Sequence, residues 1–126
     1  AECGLDEATI GVAFDGTGYG YDGRIWGGEV LLANRTDFER FANFATFHAG
    51  RRGGGEKPLR MAYGALHEFD LLEHPAAALH EALGDAAQVC DHMIERDLNC
   101  PRTSSVGRLF DAASALWAYA STPPTR

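Results

Sequence analysis

The residues best suited to chemistry begin at Asp15. The run Asp15-Gly16-Thr17-Gly18 follows directly on the apolar stretch ATIGVAF. An aspartate at a strand end, followed by small residues, exposes backbone amides that can hold a phosphate or a metal-bound anion. The run GTGYG leads into a strand rather than a helix, so it does not read as a dinucleotide fingerprint. Asp22-Gly23, further on, reads as a hairpin turn. A second set lies near the C-terminus: Ser104, Gly107, Asp111 and Ser114 share one side of a helix. A glycine one turn before a carboxylate leaves a gap beside the acid. A nucleoside could lie flat against Gly107 while Asp111 accepts hydrogen bonds from ribose hydroxyls. The alternative is that Asp111 is a solvated residue on the outer face and Gly107 a local packing choice.

Three groups of elements must position these residues. ATIGVAF is a nearly continuous apolar run of strand length, which predicts a strand buried on both faces. RIWGGEVLLA and FERFANFATF follow as strands, separated by the turn cluster NRTD. Together they predict an antiparallel meander over residues 1–50, with DGTG as a loop. The segment HAGRRGGGEKP reads as a flexible loop that Pro58 ends. Residues 51–102 then read as helical, with LRMAYGALHEFDLLEH as one helix and DAAQVCDHMIERDL as another. In the second of these, Val89, Met93 and Ile94 share the apolar face. The clearest helix covers residues 103–120, with Thr103 or Ser104 as its cap. Val106, Leu109, Phe110, Ala113, Trp117 and Ala120 make its apolar stripe, and two prolines follow it. No internal repeat is evident.

The bulk properties restrict the function classes. At 126 residues the chain reads as one domain with a small core. Its net charge of −7 argues against a nucleic-acid or membrane-surface binder, both of which need basic patches. No apolar run approaches the length of a bilayer span. The acidic opening AECGLDEATIG predicts no secretory leader, and Cys3, Cys90 and Cys100 have no disulfide or metal spacing. These features predict a reducing, cytoplasmic setting. The opening alanine predicts a piece of a longer protein.

The order VAFDGTGYGYDGRIWGGE, FERFANF, LRMAYGAL, TSSVGRLFDAASAL resembles the Kae1-like carbamoyltransferase domain of HypF proteins, which mature [NiFe] hydrogenases. The resemblance spans nearly the whole chain. It implies an α/β (α+β) fold, half of an actin-like (ASKHA, RNase H-like) domain. The opening meander belongs to one actin-like half, residues 51–102 are a helical insertion, and the last helix packs back on the sheet. It also implies chemistry: ATP and carbamoyl phosphate form a carbamoyl-adenylate beside iron or zinc. The carbamoyl group then passes to an acceptor, a protein cysteine thiolate or a small molecule. On this resemblance Asp15 matches a metal ligand. Gly16, Thr17 and Gly18 match the phosphate-side loop, and Gly107 and Asp111 match the nucleoside contacts. Glu29 and Arg108 lie in matching motifs, with structural and catalytic roles both open.

The family's paired-histidine motif has no counterpart before DGTG. His48, His67, His74, His80 and His92 show no such pairing and read as solvated or structural. The metal is therefore expected only in the complete domain, and the chain alone is expected to be inactive. The alternative is a non-catalytic, stand-alone actin-like half domain that binds a nucleotide or a protein partner. In either case an uncovered sheet face favours a homodimer.

Overall fold

A computed structural model describes residues 7–49, 57–74 and 79–121. The strands are β1 (Thr9–Tyr19), β2 (Ile25–Ala33), β3 (Phe38–Asn43), β4 (Phe47–His48) and β5 (Arg102–Thr103). The helices are α1 (Lys57–Glu68), α2 (Leu79–Leu83), α3 (Asp85–Glu95) and α4 (Val106–Ala120), with β5 lying between α3 and α4. The fold is mixed α/β, an antiparallel meander followed by helices, as the sequence predicts. Most of the loop read at HAGRRGGGEKP lies outside the described residues, as does Cys3.

Turn chemistry sets the meander. Gly23 adopts φ +77° in the β1–β2 turn, which glycine enters without a Cβ penalty. Asn34 Oδ1 accepts from the amides of Thr36 and Asp37, both at 2.9 Å, and closes the β2–β3 turn. β2 is the centre of the sheet. It pairs antiparallel with β1 and β3, and in parallel with β5 through Ile25 and Thr103. β4 extends the sheet on the far side of β5.

The core lies between β4 and the helices. Phe47, Met61, Ala62, Tyr63, Leu79 and Ala112 are among its members. Tyr63 Oη donates to Asp91 Oδ1 at 2.5 Å and ties α1 to α3. Burial and this carboxylate both push the phenol pKa up. Among the described residues, no helix is long and apolar enough to cross a membrane.

Four local expectations are corrected. β1 is not buried on both faces: Ile10, Val12 and Phe14 are 71%, 60% and 63% exposed, because β1 is a sheet edge and the contact α4 makes with it leaves these side chains open. The helix read over 59–74 stops at Glu68, where Asp70 turns left-handed and Leu71 N reaches back to Leu66 O at 2.8 Å. In α3 the fully buried residues are Ala87 and Cys90; of the predicted face Met93 and Ile94 are partly buried, Ile94 against the core, and Val89 is exposed. In α4 the small residues Ala112 and Ala115 are buried, and Phe110 and Trp117 of the predicted stripe are 68% and 78% exposed. Small side chains let α4 approach α1 closely, and the bulky stripe is left facing outward.

One buried carboxylate joins the meander to α4. Glu29, 2% exposed, accepts from Gly27 N at 2.6 Å and Gly28 N at 2.8 Å. It also accepts from Arg40 Nη2 at 2.9 Å and from Ser104 Oγ. Arg40 in turn meets Asp22 Oδ2 at 3.1 Å and stacks 4.3 Å from the Trp26 ring centroid. Burial raises the Glu29 pKa, but Ser104, Arg40 and the two amides outweigh it, and the net shift is downward. The unfolded chain therefore binds this proton more readily than the folded one. The Glu29 contribution to stability is complete above the ordinary value of 4.5 and is lost as pH falls toward the lowered folded value. Glu29→Gln is expected to destabilise the chain by about 3 kcal/mol, the low end for a broken buried pair, since Arg40 keeps Asp22. Urea melts followed from neutral pH downward should also show a shallower acid slope for the variant. An unchanged midpoint at neutral pH would contradict this role.

Candidate nucleotide site

The DGTG run is not a free loop. Asp15, Gly16, Thr17 and Gly18 lie within β1, at a bulge where the register with β2 shifts between Phe14 and Gly18. A bulge releases residues from the ladder and re-aims them. Asp15 Oδ1 accepts from Gly16 N at 2.6 Å, and Thr17 Oγ1 donates to Gly16 O at 2.6 Å.

The start of α4 is fastened to this bulge. Ser105 is the N-cap, accepting from Arg108 N at 3.2 Å. The expected caps are otherwise engaged: Thr103 Oγ1 donates to Ile25 O, and Ser104 Oγ donates to Glu29. Ser105 Oγ also lies 2.8 Å from Asp15 O and 2.9 Å from Gly16 O, sharing its proton between them. The glycines of WGGE make room for this contact. A Cβ on Gly28 would stand 2.3 Å from Ser104 O, and one on Gly27 2.3 Å from Asp15 O.

Gly107 therefore comes to the same place as Asp15 and Gly16, two segments far apart in sequence, and Asp111 lies one turn further along α4. The other two members of the predicted stripe do not join them. Ser104 is buried against Glu29 before the helix begins, and Ser114 Oγ donates back to Phe110 O at 2.7 Å. The predicted gap at Gly107 is also corrected. A Cβ there would lie 2.6 Å from Gly16 Cα, so the bulge backbone already fills that space. Asp111 is half-buried, and its Oδ2 pairs with Arg108 Nη1 at 2.9 Å.

The metal expectation was tested against the donors present. Asp15 offers one carboxylate, already bonded to an amide, and among the described residues it belongs to no group of three or more histidine, cysteine or carboxylate ligand atoms. Iron and zinc sites of this kind need several donors, usually with neutral nitrogen among them. The residues described here do not make such a site on their own. One other group of ligand-type atoms exists: His48, Asp97 and Cys100 converge within 4.8 Å. No spacing pattern among these residues signals it. Both His48 nitrogens are engaged, Nδ1 with Cys100 O at 3.1 Å and Nε2 with Arg102 Nη1 at 3.2 Å. Arg102 can only donate, so Nε2 accepts and Nδ1 carries the proton. Cys100 Sγ donates to Met93 O, and burial, aided by Asp97, pushes its thiol pKa up. A neutral thiol and a fully bonded imidazole beside a guanidinium form a structural knot that does not suit a cation.

The glycine-rich bulge is thus clasped to a capped helix start, with a carboxylate one turn along the helix, in a mixed α/β fold of an antiparallel meander followed by helices. Residues 11–123 match the family described as carbamoyltransferase, Kae1-like domain, second subdomain. The chain belongs to that family. It is 40% identical over 116 residues to a carbamoyltransferase HypF homolog of Cupriavidus necator, covering 90% of this chain and 29% of that protein. It is 36% identical over 119 residues to a probable carbamoyltransferase HypF of Methanocaldococcus jannaschii, covering 89% of this chain and 15% of that one. Among solved structures, full-length HypF in a phosphate- and nucleotide-bound form superposes with a TM-score of 0.79 at 36% identity, over 94% of this chain and 16% of that one. The chain thus spans less than a third of the length of these relatives.

Gly107→Ala tests the clasp. Overpacking costs about 1–3 kcal/mol, and the gain in helix propensity returns up to about 1 kcal/mol. The close contact is with backbone, which yields poorly, so the thermal midpoint is expected to fall. A raised midpoint would show that the bulge and the helix are not in contact.

Proposed function

We propose that this chain is the nucleotide-binding portion of a HypF-like carbamoyltransferase and is inactive alone. In the complete enzyme, ATP and carbamoyl phosphate would supply a carbamoyl-adenylate. Its carbamoyl group would pass to the cysteine thiolate of an acceptor protein in hydrogenase maturation, in the cytoplasm. Within this chain, the bulge at Gly16, Thr17 and Gly18 takes the phosphate side and Asp111 takes the nucleoside side, while Gly107 is closed against the bulge and lets the helix reach it. The observation that carries this reading is the clasp of Ser105 on Asp15 and Gly16, which puts the two motifs in one place. The relative solved with phosphate and nucleotide bound supports it at the level of the family. Asp15 would contribute to a metal site only beside donors from outside this chain.

An ionised aspartate receiving two ribose hydroxyls makes charge-assisted hydrogen bonds, worth about 1.5–3 kcal/mol when shielded from water. Asp111→Asn keeps the size and removes the charge. It is expected to lower ADP affinity by about tenfold or more in calorimetric titration, a loss at the lower part of that range. Circular dichroism should show an unchanged fold. Equal affinity in the two proteins would remove Asp111 from the site. Incubated with ATP and carbamoyl phosphate, the chain alone should release neither AMP nor pyrophosphate. Stoichiometric release would show that it holds a whole active site.

A further inference from the structure

Arg108 stands between the two motifs of the proposed site. Its Nη1 holds Asp111 Oδ2 at 2.9 Å. Its Nη2 lies 3.8 Å from the position a Cβ on Gly16 would take, which places that end of the guanidinium against the bulge. Its Nε is buried and has no hydrogen-bond partner among the described residues. Nε and Nη2 make one edge of the planar guanidinium, the edge that meets two oxygens of an anion at once. A buried donor without a partner is unfavourable, so an acceptor arriving there gains more than it would at a satisfied group. Arg108 also lies in the first turn of α4, where the helix dipole favours negative charge.

We propose that Arg108 is the phosphate anchor of the nucleotide site. Its Nε–Nη2 edge receives the phosphate next to the nucleoside, while Nη1 keeps Asp111 turned toward the ribose. One side chain thereby sets the distance between the phosphate and ribose positions. This inference rests on the adenine-nucleotide reading above and goes beyond it, since that reading gives the phosphate side to the bulge alone. The Arg108–Asp111 pair also explains how a surface ion pair of small intrinsic worth is useful: it orders both partners before the ligand arrives.

The test compares adenosine with AMP, which differ by the phosphate alone, in calorimetric titrations of this chain. Each variant is checked by circular dichroism. The unmodified chain is expected to bind AMP about tenfold or more tighter than adenosine, as a charge-assisted bidentate contact implies. Arg108→Met keeps the length and apolar stem but removes the fork. It should reduce that preference to about threefold or less, while adenosine itself also binds more weakly because Asp111 loses the partner that orients it. Arg108→Lys keeps the charge without the fork and should retain part of the preference, and it stands in if the methionine variant does not fold. Asp111→Asn should weaken both ligands alike and leave the preference in place. A preference untouched in both Arg108 variants, or no preference in the unmodified chain, overturns the anchor and leaves the nucleotide reading standing. Absence of binding by either ligand to the unmodified chain overturns both.

Discussion

The carboxylate of Glu29 is the constraint from which most of the site follows. It is buried, so its charge must be met by donors, and the four it uses come from three places: the glycines before it, Arg40 on β3, and Ser104 before α4. No local secondary structure could supply that set. Meeting the charge fixes the spacing of β2 and β3 and draws the TSS segment onto the sheet. Ser105, the next residue, then faces the bulge and caps the helix in one stroke. The glycines of WGGE serve the same end twice, giving amides to Glu29 and leaving room for the backbones that approach it. Buried ionic networks of this kind specify an arrangement more than they add stability.

The motif DGTG thus acts as one half of a joint. Its residues leave the ladder at the bulge, and α4 arrives there because Glu29 has placed its first residues. The short sequence distance between Gly107 and Asp111 does the rest: one helical turn sets the carboxylate beside the point where helix and bulge touch. Arg108 lies between them on the same turn and is already bonded to that carboxylate. The site is assembled by backbone contact first and by side-chain chemistry second.

This order explains what was legible in the sequence. Turn residues act locally, so Asp22-Gly23 and NRTD announced the meander correctly. Of the two readings of Gly107, the packing one was legible because a glycine inside a helix marks a close approach, and Gly16 makes it. What periodicity could not show was which neighbour each face would meet. The α4 stripe of Leu109, Phe110, Ala113 and Trp117 is the more apolar face, yet the alanines at 112 and 115 are the ones buried, because α1 passes too close for larger side chains. The cap fell on Ser105 for a related reason: tertiary partners had already claimed the hydroxyls of Thr103 and Ser104. The gap foreseen at Gly107 failed likewise, since a helical wheel contains no information about a strand bulge about ninety residues earlier in the chain.

The faces left exposed have the composition of an interior. Ile10, Val12 and Phe14 line one side of β1, and Phe110 and Trp117 line α4. Between the end of α1 and α4 an open groove of about 500 Å³ is walled by Leu66, Leu71, Leu116 and Trp117. A monomer rarely leaves apolar surface in such continuity unless something covers it. The same chain fills its core with Phe47, Met61, Tyr63 and three leucines as well as alanines, and meets the buried charge of Glu29 with four donors. The side chains of Ile10, Val12, Phe14, Phe110 and Trp117 add little to the packing of this chain itself, since each is more than half exposed, and the chain represents 16% of the full-length HypF structure it matches.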